Sequence, residues 1–75
     1  MSDTEKRMLA EFGSSRMDCL AQLAGQLQHA EDRELQEHIL NVITRVCNFE
    51  TDTMFEAYVQ EIREEVSSDD KADEV

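Results

Sequence analysis

The sequence predicts an all-α protein: a small antiparallel helical bundle with a helical hairpin, a third helix, a short N-terminal helix and a disordered acidic C-terminal tail. Three observations favour this fold class. Apolar residues recur at helical spacing throughout, and no stretch alternates long enough to indicate a strand. Proline is absent and glycine occurs only twice, so little interrupts the helices. The chain has 75 residues, which is enough for a single domain.

Two helices are predicted in the first thirty residues. The first covers residues 3–12, with Ser2 or Asp3 as its N-cap. Gly13 and the serines after it interrupt the pattern, and Ser15 caps a second helix over residues 16–30. A single helix kinked near Gly13 is the alternative, but it would bury the guanidinium of Arg16 without a partner, which is costly. We therefore favour a break near Gly13, or an Arg16 that snorkels at the end of the stripe rather than binding an anion. The apolar stripe of the second helix consists of Met17, Leu20, Leu23, Ala24, Leu27 and Ala30.

The third predicted helix, residues 33–47, has the widest apolar surface. Asp32 is its expected N-cap. Leu40 and Cys47 are seven residues apart and share one flank, which makes the apolar arc wider than a single neighbouring helix needs. We expect Leu40, Cys47 and Phe49 to form a contact with a second copy or a client. The main stripe of this helix is Leu35, Ile39, Val42, Ile43 and Val46.

The last predicted helix covers residues 54–66. Thr53 and Glu56 fit a capping box at its start. Residues 1–66 would then form the single helical domain, and residues 67–75 have almost nothing to bury and are expected to be disordered. The side chains expected to point inward are those of Phe55, Tyr58, Val59, Ile62 and Val66.

Charge is unevenly distributed along the chain, whose formal net charge is −11. Fourteen of the eighteen acidic residues follow Ala30, where four basic residues accompany them. Such a field repels nucleic acid and anionic membranes and attracts basic proteins, although an acidic surface often serves only solubility. We expect no direct contact with nucleic acid or membrane, and a protein partner with a basic surface. The expected partner-binding residues are Glu50, Asp52, Glu56, Glu61, Glu64 and Glu65.

Cys19, His29, His38 and Cys47 are the candidates for metal binding, but their spacing lacks the paired ligands typical of zinc sites. In an antiparallel hairpin the cysteines share one level and the histidines another, about 15 Å away. A Cys19–Cys47 disulfide would fit this geometry, but a reducing cytosol favours two buried thiols. The histidines are expected to be solvated rather than a pH-sensitive pair.

No signature of catalysis is present in the sequence. There is no glycine-rich phosphate loop and no calcium-binding loop, and no cysteine lies close in sequence to a histidine. We therefore expect no catalytic residues, no cofactor and no metal.

A chain this short supports only a small core, and self-association is the remedy that its composition leaves open, so we expect a homodimer. We also expect a cytoplasmic protein, of a cell or of a virus within it.

The predicted function is that of a small acidic regulator or inhibitor that docks on a basic protein, such as a nucleic-acid-binding protein. Phage- or plasmid-encoded antagonists have this size and charge. The alternative is an assembly component or small chaperone that receives a client helix in an apolar groove. An antitoxin that wraps a basic toxin is a weaker third interpretation.

Overall fold

The computed structural model describes the backbone of residues 1–73 and the side chains of residues 1–67, and that part of the chain is helical with no strand. The helices are α1 (Asp3–Phe12), α2 (Arg16–His29), α3 (Arg33–Cys47) and α4 (Asp52–Asp73). The predicted all-α fold class is confirmed, as is the break between α1 and α2. Helix α4 begins two residues before the predicted start and extends seven residues past the predicted end. The predicted disordered tail lies mostly outside the side chains that the structure describes, and its disorder stays a prediction.

Side-chain caps fix where the helices begin. Ser2 and Ser15 accept hydrogen bonds from backbone N–H groups three residues on, and Asp32 accepts one from Glu34, as the sequence predicted for these positions. The predicted capping box at Thr53 and Glu56 is wrong. Helix α4 has already begun there, and the hydroxyl of Thr51 accepts from the N–H of Met54 at 3.2 Å.

The other three helices are arranged around α1. Helices α2 and α3 form the predicted hairpin, while α1 packs most closely against α4 and also against α3. Helices α3 and α4 are consecutive in the chain, yet over the described residues they make little contact with each other. Helix α1 runs antiparallel to α4, since Gly13 lies beside Val59 and Lys6 beside Glu65. The short N-terminal helix therefore joins the two halves of the bundle.

The core confirms most of the predicted inward faces. The main error concerns α2, where Met17 is 81% exposed and Ala24 is also exposed, while Cys19 is fully buried. The buried face of α2 is centred near Cys19 and Leu23, which moves Met17 and Ala24 to the solvent side. Leu35, in the first turn of α3, is 36% exposed. The buried apolar residues are Leu9, Cys19, Leu23, Ile39, Val42, Val46, Phe55, Val59 and Ile62.

Over the described residues, none of the helices combines the length and the apolar character that a bilayer span requires.

Candidate functional site

The six predicted partner-binding acids are all exposed. They lie on α4 and on the loop before it. Because an α-helix turns by about 100° per residue, Asp52 and Glu56 share one flank of α4, and Glu61 and Glu65 share the other. Glu64 lies between these flanks on the outer surface. The carboxylates therefore form a belt around the solvent side of α4, with Glu50 just before it, rather than a single row. We call these six residues the acidic belt.

Basic side chains compensate this belt only partly. Lys6 Nζ lies 3.6 Å from Glu65 Oε2, and Arg16 Nε lies 3.0 Å from Asp52 Oδ1. Both carboxylates remain more than half exposed, so the attraction within each pair is weak. The other four acids have no ion-pair partner among the side chains that the structure describes.

Arg63 lies on α4 among the belt residues in sequence. In the structure it is half-buried, and its Nε–H donates to the carbonyl oxygen of Ala10 at 3.0 Å. That carbonyl is one of the last four of α1, which lack partners within their own helix and carry partial negative charge. Arg63 therefore caps the end of α1. Its guanidinium is committed to an intramolecular contact and is turned away from the surface of the belt.

Arg16 is also an intramolecular connector. Its Nη1–H donates to the carbonyl oxygen of Phe49, and its Nε pairs with Asp52. The side chain is about a third exposed, and its guanidinium is held by protein groups rather than by water alone, so the predicted snorkelling does not describe it. Because one guanidinium holds both ends of the α3–α4 loop, the first residues of the acidic belt have a fixed position relative to α2.

A cleft opens between α3 and α4 beside the belt. It consists of two adjoining depressions, of about 540 Å³ and about 270 Å³, which share Met1 and Arg45. The larger depression is bounded by α1 and α3 and ends at Phe49, while the smaller one lies between α1, Arg45 of α3 and the Glu61 flank of α4. We call these two depressions together the α3–α4 cleft. Its existence follows from the packing, since α3 and α4 both rest on α1 and hardly touch each other.

A carboxylate is buried at the base of the cleft. Glu5 is 8% exposed, and its Oε2 lies 2.6 Å from Nδ1 of His38 on α3. Burial would raise the pKa of Glu5, but its hydrogen bonds with the side chains of His38, Asn41 and Ser2, together with attraction to His38, outweigh burial and lower that pKa below its ordinary value. The contact fastens the N-terminal turn of α1 to the middle of α3.

This cluster does not have the geometry of a catalytic triad. The hydroxyl oxygen of Ser2 lies 3.5 Å from Nδ1 of His38, the same nitrogen that Glu5 approaches. In a triad the nucleophile and the acid lie on opposite ring nitrogens. The second ring nitrogen faces Glu34, at 3.9 Å. We therefore interpret the cluster as a contact that positions α1 against α3.

His29, Cys19 and Cys47 have different environments and do not form a common site. His29 is exposed, and His38 pairs with Glu5 rather than with it. Cys19 and Cys47 form no disulfide. Burial raises the pKa of the Cys19 thiol to about 11, whereas Cys47 is exposed, so the expectation of two buried thiols is wrong for Cys47. Across the residues that the structure describes, no three His, Cys, Asp or Glu side chains are grouped so that they could hold a metal ion.

The three residues predicted to contact a second copy or a client do not form one patch. Leu40 is 49% exposed and Cys47 is exposed, both on α3. Phe49 is half-buried, and its ring stacks edge-on against Phe55 and tilted against Tyr58 at centroid distances of 5.8 and 5.2 Å. Phe49 therefore belongs to the end wall of the cleft.

Sequence reasoning missed Glu5 and the cleft. A signal for Glu5 was present, because it precedes Leu9 and Phe12 by four and seven residues and so continues their stripe back by one turn. A carboxylate on an apolar stripe indicates a buried partner. The cleft had no comparable signal, since it depends on which helices pack together.

Comparisons with known proteins identify no relative: no family model, no curated protein and no solved structure matches the chain.

Proposed function

We propose that the protein is a small acidic regulator or inhibitor that binds a basic surface of a larger protein, such as one that itself binds nucleic acid. The single observation that carries this proposal is the exposure of all six belt carboxylates, five of them on the one helix α4. Lys6 and Arg16 pair with Glu65 and Asp52 of the belt, whereas Arg63 is committed to the carbonyl oxygen of Ala10 at the end of α1. Four belt carboxylates, those of Glu50, Glu56, Glu61 and Glu64, are therefore left without an ion-pair partner among the described side chains.

The belt would act mainly on the rate and the specificity of association. Fixed charges of one sign steer an oppositely charged partner and disfavour partners of like charge. Screening limits this effect to about 8 Å at physiological ionic strength, so the affinity should fall as salt is added. A partner that carries its cations on a nucleic-acid-binding surface would be blocked from nucleic acid while the complex lasts. We place this function in the cytoplasm, where phage- or plasmid-encoded antagonists act.

The test is affinity purification with the tagged chain at two salt concentrations, followed by mass spectrometry. We expect a basic protein that is retained at low salt and released at high salt. The variant Glu61→Lys/Glu64→Lys/Glu65→Lys should lose it. A matched control, Glu31→Lys/Glu34→Lys/Glu37→Lys, makes the same change in net charge at exposed positions of the α2–α3 turn and α3. Equal loss with both triple variants would show that only total charge matters, and capture that neither affects would refute the proposal.

A further inference from the structure

The α3–α4 cleft has the form of a missing position in a helical bundle. Helices α3 and α4 diverge from the loop that joins them and both pack on α1, so the space between them has a floor and two walls but no occupant from the described chain. Neighbouring helices in bundles pack with their axes about 8–10 Å apart, and a third helix commonly fills the groove that two others leave. The cleft is open to solvent along its length, which suits an elongated segment better than a compact small molecule.

The two walls of the cleft differ in charge. The α4 wall presents Glu61 and Glu65, while the α3 wall presents Arg45 between polar side chains. Partly exposed apolar side chains also line the cleft, namely Met1, Phe49 and Tyr58. Lys6 pairs with Glu65 at 3.6 Å, but the pair is largely solvated, so a cation from a partner would replace it at little cost.

We propose that this cleft docks a helical segment of the partner protein, one with an apolar stripe and a lysine- or arginine-rich edge. The apolar stripe would cover Met1, Phe49 and Tyr58, and the basic edge would face Glu61 and Glu65. This inference rests on the proposed function, because it supplies the groove through which the acidic belt recognises a basic partner. A second copy of this chain fits the cleft poorly, since its net charge of −11 would bring carboxylates toward the α4 wall. Docking of an amphipathic helix in a groove is a common mode of recognition.

The probe is a synthetic amphipathic peptide of leucine and lysine, about 15 residues long so that it is able to form a helix. Titrating it into the ¹⁵N-labelled full chain should shift the amide resonances of Asn41, Asn48 and Tyr58 around the cleft. The amides of Met17 and Ala24, on the exposed face of α2, should shift little. Shifts spread evenly over all acidic surfaces, or no binding at all, would overturn the inference. Shifts of the cleft amides that depend on protein concentration without peptide would assign the cleft to a second copy and would also overturn it.

Two single variants give the matched comparison. Glu61→Lys reverses a charge in the cleft wall, and Glu64→Lys reverses the same charge on the outer surface of α4, outside the cleft lining. We expect Glu61→Lys to weaken peptide binding about tenfold and Glu64→Lys less than about twofold. Equal weakening would overturn the cleft while leaving a general acidic interaction in place. Cleft binding of the peptide, without salt-sensitive capture of any basic protein, would instead leave the inference standing and reject the proposed function.

Discussion

Replacing Gly13 by alanine tests the packing of α1 on α4 directly. Gly13 is buried where α1 ends, and its backbone angle φ of −83° is one that alanine adopts readily. The obstacle is space, because an added Cβ would lie 2.6 and 2.9 Å from the two Cγ atoms of Val59 and 2.5 Å from the carbonyl oxygen of Leu9. Val59 is fully buried and β-branched, so its side chain has little freedom to turn away.

The expected net effect combines two terms of opposite sign. Overpacking a tight contact destabilises by about 1–3 kcal/mol, while removing a glycine from the unfolded chain returns about 0.4–1 kcal/mol. We therefore expect Gly13→Ala to lower the free energy of unfolding by about 1–2 kcal/mol and Tm by about 5–15 °C, measured by circular dichroism at 222 nm.

Gly25→Ala is the matched control, with the opposite expected sign. Gly25 lies inside α2, and an added Cβ there would meet nothing within 4 Å. Alanine should stabilise this helix by about 0.5–1 kcal/mol. In a Val59→Ala background, Gly13→Ala should cost less, because the opposing methyl groups are gone and only the contact with the carbonyl oxygen of Leu9 remains. A Gly13→Ala protein with the Tm of the wild type, beside a stabilised Gly25→Ala, would refute the close approach of α1 and α4.

Three further expectations follow from individual side chains. At pH 8 a thiol reagent should modify Cys47 rapidly in the folded protein and Cys19 only on unfolding. Cys19 is buried, and its pKa of about 11 leaves about 0.1% of its thiol ionised at that pH. Rapid modification of both cysteines, detected by mass spectrometry, would contradict this expectation. The pKa of Glu5 is lowered on folding. Ionised Glu5 therefore contributes fully to the free energy of unfolding above its unfolded-state pKa near 4.5, and this contribution is lost as the pH falls through its folded-state pKa. Glu5→Gln should therefore lower the free energy of unfolding by about 1–3 kcal/mol at pH 7, measured by urea titration. The difference in unfolding free energy between the variant and the wild type should shrink well below pH 4.5. A difference that is unchanged at low pH would count against the Glu5–His38 contact. If Leu40 supports a homodimer, Leu40→Glu should shift sedimentation from dimer to monomer, and Met17→Glu on α2 should not; a monomeric wild type would reject the dimer.

The starts of α1, α2 and α3 were predictable because their signals are local. Ser2, Ser15 and Asp32 act within three residues of their own positions, so the sequence reports them directly. The face of α2 was less predictable. Apolar and small residues surround most of that helix, so several faces have a similar apolar character, and only packing chooses Cys19 over Met17.

The contacts between helices were not predictable from spacing. Arg63 bonding Ala10, and His38 bonding Glu5, join residues 53 and 33 positions apart. The helical spacing of apolar residues predicts which face of α1 is apolar, but it does not predict that this face packs against both α3 and α4. The exposure of the six predicted acids could be anticipated because it depends mainly on one helix, whereas the cleft beside them is formed by three.

The involvement of three helices also determines how binding should affect stability. A segment in the α3–α4 cleft contacts α1, α3 and α4 at once, and the cleft exists only while α1 holds the other two. Such a ligand binds the folded state alone and should stabilise it by about 2.7 kcal/mol at a free concentration one hundred times its Kd. A partner that binds only the outer surface of α4 needs that helix alone. Local opening elsewhere in the bundle would leave α4 intact, so the same occupancy should raise Tm less. The size of the thermal shift at matched saturation therefore distinguishes the cleft from the belt.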